Sequence, residues 1–298
     1  MSNPDNQVRA VQVCAVVVTY NPNGELLNNI AAIRPQVDRF VIVDNGSKPE
    51  GLDLLETSRS RFECEAILNG SNLGIAKALN LGIAYAESQG CKQVVFFDQD
   101  SMVGDAGFIA CMLEAYGQAS QSKRLAVVAP CYVDRLSGAA MPSVRGRDKY
   151  LIAAMTSGML VPIEIFKAVG LHDERLYMDY VDIEFCLRCR KAGYAIIEAT
   201  GAILYHSLGK RTRHRLWGVS FTATNHNALR RYYVTRNRLL TLRWYWRDWR
   251  WWVRDLQAFF SELIKIVLVE GCKQEKLAAV AFGVRDAWRN KTGERFML

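Results

Sequence analysis

Val94-Val95-Phe96-Phe97-Asp98-Gln99-Asp100 carries four large apolar residues straight into two carboxylates. An uninterrupted apolar run of this length suits a strand covered on both faces, as in a parallel sheet sandwiched between helices. Ligands of such sheets collect outside the carboxyl ends of the strands. Two carboxylates one residue apart would be costly there if buried without partners, yet they suit a hard divalent cation that also bridges phosphate oxygens. The same residues read equally as an acidic strand end that turns or caps the next helix.

Outward from this stretch, the chain alternates between strand and helix patterns. Residues 11–19 form an apolar, Val-rich strand, broken by Asn21-Pro22-Asn23-Gly24 before a helix over 26–33. A second buried strand over 40–43 ends at Asp44-Asn45-Gly46-Ser47, and a third over 64–68 leads through Asn69-Gly70-Ser71-Asn72-Leu73-Gly74 into a helix near 75–87. This order implies parallel β-α-β units with right-handed crossovers. It predicts that Thr19, Tyr20, Asn21, Asp44, Asn45, Asn72, Gly74, Asp98, Gln99 and Asp100 share one edge, a cleft of nucleotide size. Taken singly, Asp44-Asn45-Gly46 also reads as a turn, Asn72 as an N-cap and Gly74 as a tight helix entry.

A second acidic cluster lies at Met178-Asp179-Tyr180-Val181-Asp182-Ile183-Glu184. Asp182 opens a helix predicted over 183–192 and closed by Gly193, with Glu184 and Arg188 spaced as a surface i, i+4 pair. Further on, Ala202-Ile203-Leu204-Tyr205-His206 repeats the design of the first stretch, an apolar strand ending in a potential ligand.

The chain has 298 residues, 50% of them hydrophobic and 23% charged, enough for a substantial core. Its first six residues are polar, without the apolar stretch of a signal peptide, which predicts a cytosolic protein. The eight cysteines are scattered through apolar or helical runs and are expected to be reduced core thiols; Cys186-x-x-Cys189 lacks a second pair at zinc spacing. The net charge of +8 is uneven. Between Lys210 and Asp255 stand 12 Lys and Arg against Asp248 and Asp255, a net +10 that leaves the remainder near neutral at −2. Six of the seven Trp share that segment.

If residues 236–268 form one helix, Arg236, Arg243, Arg247, Arg250 and Arg254 align as a basic stripe. Trp244, Trp246 and Trp251 would border it, with Trp249, Trp252, Leu256, Phe259, Phe260 and Leu263 opposite. Such a helix suits the interface of an anionic membrane. It suits equally a surface helix packed on the rest of the protein with its Arg solvated. The longest apolar stretch there, residues 264–269, is far too short to span a bilayer. No nucleic-acid recognition module accompanies the Arg residues.

The ordered motifs resemble the inverting, metal-dependent family 2 glycosyltransferases of GT-A fold, and within them the bacterial rhamnosyltransferases. The resemblance is carried by V-V-V-T-Y-N-P (16–22), V-D-N-G-S (43–47), N-L-G-I-A-K-A-L-N-L-G (72–82), D-Q-D (98–100), V-D-I-E-F-C-L-R (181–188) and His206. It continues through L-R-R-Y-Y-V-T-R-N (229–237). It implies a GT-A α/β domain over 1–210, Rossmann-like with a mostly parallel sheet flanked by helices, and a helical basic region over 211–298 that docks on membrane or acceptor. It implies that Thr19, Tyr20 and Asn21 line the nucleotide pocket, with Asp44 and Asn45 at the base and Asn72, Gly74 and Lys77 near ribose and phosphates. Asp98, next to Gln99, would touch ribose or metal; Asp100 and His206 would bind Mg²⁺ or Mn²⁺; Asp182 would be the general base. The position before that base, often acidic in relatives, is Val181, and Asp179 is expected to compensate. Thr156-Ser157-Gly158 would lie under the sugar, and His172 is expected to be structural.

The implied activity is transfer of a sugar, L-rhamnose from dTDP-L-rhamnose, to a hydroxyl of a lipid-linked glycan or glycolipid in polysaccharide synthesis. The protein would lie on the cytoplasmic face of the inner membrane; its oligomeric state stays open. The sugar rests on resemblance alone, so UDP- or GDP-linked donors remain alternatives. A sugar-phosphate nucleotidylyltransferase would open with a Gly-rich phosphate loop, where this chain has Thr19-Tyr20-Asn21-Pro22. A noncatalytic membrane adaptor would not need Asp100, Asp182 and His206 in this order.

Overall fold

The computed structural model describes residues 13–146, 148, 150–206, 212–216 and 218–295. The chain's first six residues, Lys210, Arg211, Trp217, the start of the first strand, the side chain of Arg250 and the boundary expected at 210 lie outside the described residues.

The core is one sheet of eight strands in the order β3-β2-β1-β4-β7-β6-β8-β5. Its first half is the β-α-β series read from the sequence. β1 (Val13–Thr19) is buried along its whole length and pairs in parallel with β2 (Arg39–Asp44) and β4 (Gln93–Asp98); β2 pairs in parallel with β3 (Glu65–Leu68). Residue against residue, Thr19 faces Asp44, and Val18 faces Asp98. The polar strand ends therefore fall on one edge because the apolar runs before them pair in register.

Helices α1 (Glu25–Ile33), α2 (Pro49–Phe62) and α3 (Ile75–Ser88) return the chain between these strands. α3 packs close on β1 at Gly82, where an added Cβ would stand 2.3 Å from Val16 Cγ1.

Past β4 the direction changes. β7 (Leu160–Pro162) runs antiparallel to both β4 and β6 (Leu125–Asp134), while β8 (Ala195–His206) is parallel to β6 and carries the short β5 (Met102–Val103) antiparallel on its outer side. The sequence reading did not foresee β7, a three-residue strand too short for a periodic signal. In this second half Asp134 faces His206, which brings His206 to the same end of the sheet as Asp98. Between these strands lie α4 (Phe108–Ser120), α5 (Ile163–Val169) and α6 (Val181–Lys191). All eight cysteines are free thiols.

Beyond a hairpin of β9 (Thr212–Leu216) and β10 (Val219–Ala223), three helices follow: α7 (Ala228–Trp244), α8 (Trp249–Leu268) and α9 (Lys273–Trp288). The single helix expected over 236–268 is broken at residues 245–248. The Tyr245 carbonyl accepts from Trp252 Nε1 at 2.8 Å and its hydroxyl donates to Glu184 at 2.6 Å, so the break is tied to α8 and to α6.

The continuous Arg stripe is therefore not formed. Arg236 is fully buried and donates to the carbonyls of Gly293 and Leu176. Trp251 and Trp252 are buried with Leu187 and Ile152, against α6 and the loop that carries Val144 and Ala153. The Glu184–Arg188 pair also departs from expectation. Glu184 is buried, and Arg188 binds it at 2.9 Å while capping the carbonyls of Val169, Gly170 and Leu171. Among the described residues no helix is long and apolar enough to cross a membrane.

Candidate active site

Where the strand ends converge, a cavity of about 500 Å³ opens. Of the nucleotide-binding residues expected from the sequence, Thr19, Tyr20, Asn45, Asn72, Gly74, Asp98 and Gln99 line it, together with Asp100 and Asp182. Gln99 is locked to the backbone of Tyr20 through both amide atoms, at 2.8 and 3.3 Å. Asn45 accepts from the Leu73 amide and donates to Asn72, whose Oδ1 also accepts from the Gly74 amide. One amide network thus sets the course of the 69–74 loop.

Three expected residues sit outside the lining. Asp44 is buried, its oxygens taken by the Thr19 hydroxyl, the amides of Gly46 and Ser47 and the Ser47 hydroxyl, so it builds the loop beneath the cavity. Asn21 accepts from the Lys48 amide and ties the first two strand-end loops together. Lys77 points to Glu174 at 3.2 Å on the protein surface.

Asp98, Asp100 and His206 form a cluster whose potential ligand atoms all lie within 4.8 Å of one another. Ser101 and Ser157 support it: the Asp98 amide donates to Ser157 Oγ at 3.1 Å, and His206 Nδ1 lies 3.3 Å from Ser101 Oγ. Burial lifts the Asp98 carboxyl above its ordinary value, His206 pulls it back down and Asp100 pushes it up. A converging pair of carboxylates with an imidazole, one carboxyl held at a desolvation cost, fits a small divalent cation; the nitrogen ligand suits Mn²⁺ better than the oxygen-preferring Mg²⁺.

The opposite wall is the segment that enters α6. Asp179 is paired with Arg230 at 3.0 Å, while Asp182 accepts from the adjacent Ile183 amide at 2.8 Å. Burial, with Asp179 and Asp98 adding repulsion, pushes the Asp182 carboxyl up to about 6. Asp182 also lines a second cavity of about 510 Å³, whose walls include Tyr132, Met141, Val144, Leu151 and Trp251. Asp98, Asp100 and Asp179 line only the first.

Residues that the sequence reading left without a site role also face the first cavity: Arg230, Tyr177, Tyr180 and Met155. The signal for Arg230 is its place in the 229–237 stretch, where it is one cation among the many of the basic segment. His172 is structural, buried among Phe96, Phe166 and Phe185, its imidazole pushed down to about 3 by desolvation.

A curled α/β sheet with a carboxylate–imidazole cluster at its strand ends, beside a nucleotide-sized cavity, defines a nucleotide-sugar transferase of GT-A fold. Residues 14–120 match the model of Glycosyl transferase family 2. The chain is 33% identical to the dTDP-rhamnosyl transferase RfbF of Shigella flexneri over 78% of its own length and 80% of RfbF. It is 25% identical to the galactofuranosyltransferase GlfT1 of Mycolicibacterium smegmatis, over 76% of this chain and 81% of that one. Among solved structures, S. aureus TarS 1-349 in complex with UDP-GlcNAc aligns at TM-score 0.56 and 14% identity, covering 93% of this chain and 81% of that one. This chain belongs to glycosyl transferase family 2 and is a glycosyltransferase.

Proposed function

We propose that the enzyme moves L-rhamnose from dTDP-L-rhamnose, with inversion, onto a hydroxyl of a lipid-linked glycan or glycolipid. The family membership supports sugar transfer, and the likeness to a dTDP-rhamnosyl transferase supports the donor. The observation that carries the mechanism is the position of Asp182, the carboxylate shared by both cavities.

In this reading the first cavity holds the donor. Thr19, Tyr20, Asn45 and Asn72 face the nucleoside, Gly74 lets the backbone come close to the phosphates, and Arg230 supplies a guanidinium for diphosphate oxygens. Asp100, His206 and Asp98 would hold Mg²⁺ or Mn²⁺, which when bound would supply positive charge beside the diphosphate leaving group. The second, largely apolar cavity takes the acceptor. Asp182, between the two, accepts the acceptor's hydroxyl proton as that oxygen attacks the anomeric carbon from the face opposite the leaving group. A single displacement with one base inverts the centre and needs no enzymic nucleophile. General-base assistance of this kind contributes about 10²- to 10⁴-fold in rate.

We assign residues 1–210, joined by Arg230, to donor binding and catalysis, and the rest of 211–298 to docking on membrane or acceptor. The exposed Trp249, Arg254 and Phe260 of α8 support this division. Incubating the protein with a panel of nucleotide sugars, and following donor hydrolysis and transfer, tests the substrate. Turnover of dTDP-L-rhamnose above the others is expected; preference for a UDP- or GDP-linked sugar would overturn the donor, and nucleotidyl transfer to a sugar phosphate would overturn the reaction.

A further inference from the structure

The segment that delivers Asp182 to the cavity is held in an unfavourable conformation. Tyr177, Asp179 and Tyr180 have φ of 62°, 57° and 67°, in the left-handed region that non-glycine residues rarely occupy. Such residues persist only where their surroundings over-determine them. Here the surroundings are the R-N pair that closes the 229–237 motif, which has no role in the reaction described so far.

Asn237, on α7, is fully buried. Its Nδ2 lies 2.7 Å from the Leu176 carbonyl, 2.6 Å from Met178 and 3.0 Å from Asp179. Its Oδ1 accepts from Arg236 Nε at 2.9 Å. That contact fixes the amide's orientation, because a guanidinium can only donate and the three carbonyls can only accept. Arg236 itself reaches the Leu176 carbonyl at 3.2 Å and Gly293 at 2.7 Å.

A second tie comes from α8. Asp255 accepts from the Tyr180 hydroxyl at 2.7 Å and from Arg238 Nε at 2.8 Å, with all three residues buried. The other side of the segment rests on the donor loop, where the Ile75 amide donates to the Tyr177 carbonyl at 2.7 Å.

We infer that Asn237 and Asp255 are positioning residues that fix the general base: Asn237 holds the 176–179 carbonyls from α7, Asp255 holds the Tyr180 hydroxyl from α8, and together they set where Asp182 stands between donor and acceptor. The inference rests on Asp182 being the base. Only a side chain with donors and an acceptor on one short, planar amide serves the three carbonyls and Arg236 together. Aspartate would offer no hydrogens to the carbonyls, and leucine would leave them unpaired. The clamp acts on backbone that ends in the base, so its loss displaces the carboxylate by a fraction of an ångström to an ångström, a shift that slows chemistry far more than binding.

The test compares Asn237→Ala, Tyr180→Phe and Asp182→Asn in the full chain. The kcat at saturating donor is normalised to nucleotide-binding sites counted by titration with the nucleoside diphosphate and Mn²⁺. Asn237→Ala is expected to lower kcat per site by about 10- to 100-fold, and Tyr180→Phe by roughly 3- to 10-fold, with donor KM within about twofold of the parent. A merely structural role would reduce the number of binding sites and leave kcat per site intact; that result in both variants overturns the inference. Should Asn237→Ala not fold, Tyr180→Phe, which deletes one hydroxyl, decides alone. Asp182→Asn separates the two readings: full turnover there removes the base assignment itself, whereas an inactive Asp182→Asn beside clamp variants of unchanged kcat removes only the clamp.

Discussion

Asp182 sits where its chemistry and its stability pull in opposite directions. Its carboxyl titrates near 6 in the fold against an ordinary 3.8, so the folded chain holds that proton more tightly than the unfolded chain. The stability this brings is fully present below the ordinary value and is lost as pH rises through about 6. At neutral pH the ionised base therefore costs the fold stability. Asp182→Asn is expected to abolish turnover, leave nucleotide affinity within about twofold, and raise the melting temperature at pH 7.5 by about 2 °C or more. That gain should shrink as the scan is repeated toward pH 4; a variant that melts lower than the parent at pH 7.5 would contradict the desolvated carboxylate. In the parent, kcat should fall about tenfold per pH unit below 6, because only the ionised form accepts a proton. Asp100→Ala should remove the Mn²⁺-dependent part of nucleotide binding, read by calorimetry with and without the ion. Asp98 and Asp100 stand out in the sequence because two carboxylates close an apolar run, and Asp182 because it belongs to a second acidic cluster at a helix start. Asp44 lies outside the lining of the cavity, its oxygens taken by its own Asn-Gly-Ser loop and by the Thr19 hydroxyl.

At the scale of elements, the parallel strands β1, β2 and β4 were readable because each is a short apolar run ending in turn residues. β7 was not, since its three residues acquire strand geometry only by lying between β4 and β6. The break between α7 and α8 was hidden too. Periodicity alone carries a basic stripe across 245–248, and only tertiary contacts reveal that Arg236 is buried while Trp251 and Trp252 turn inward. These contacts make α8 part of the core. Trp252→Ala is expected to cost about 3–5 kcal/mol, measured by urea unfolding, in line with deletion of a buried aromatic. A loss below about 1 kcal/mol would mean that α8 is only loosely attached.

The entry to α3 is equally constrained. Gly74 has φ of 83°, and a Cβ there would stand 2.5 Å from the Tyr177 ring and 2.6 Å from its carbonyl oxygen. Gly74→Ala should weaken donor binding and lower kcat together, because it pushes the donor loop and the base segment apart. Parent-like kinetics from that variant would show that the two loops are not mutually braced.

The whole molecule divides its surface as unevenly as its sequence divides charge. The sheet half is near neutral, whereas the helical end carries the net positive charge and most of the exposed aromatics. On α8, Trp249, Val253, Phe260, Ile264 and Val267 fall within one helical stripe and are exposed, at 62%, 47%, 58%, 58% and 51%. Phe259 and Ile266 lie toward the interior, and Arg254 stands exposed on the neighbouring face. The apolar stripe is thus unlike the face that packs on the catalytic core, and Arg243 and Arg247 are exposed close to its start. Apolar insertion with flanking cations is the arrangement that binds anionic bilayers, and each Arg near such a surface contributes about 1 kcal/mol. Sedimentation with vesicles of phosphatidylglycerol and phosphatidylcholine is expected to capture the protein, whereas phosphatidylcholine alone should not. Reversing Arg243, Arg247 and Arg254 to Glu should weaken partitioning by more than about 100-fold at low salt. Phe260→Ser with Ile264→Ser should weaken it by a route that salt does not mimic, because those side chains contribute buried area and no charge. Equal capture by neutral vesicles, or partitioning that ignores both salt and the Arg reversals, would rule out an electrostatic membrane surface and leave the α8 stripe to bind an apolar partner instead.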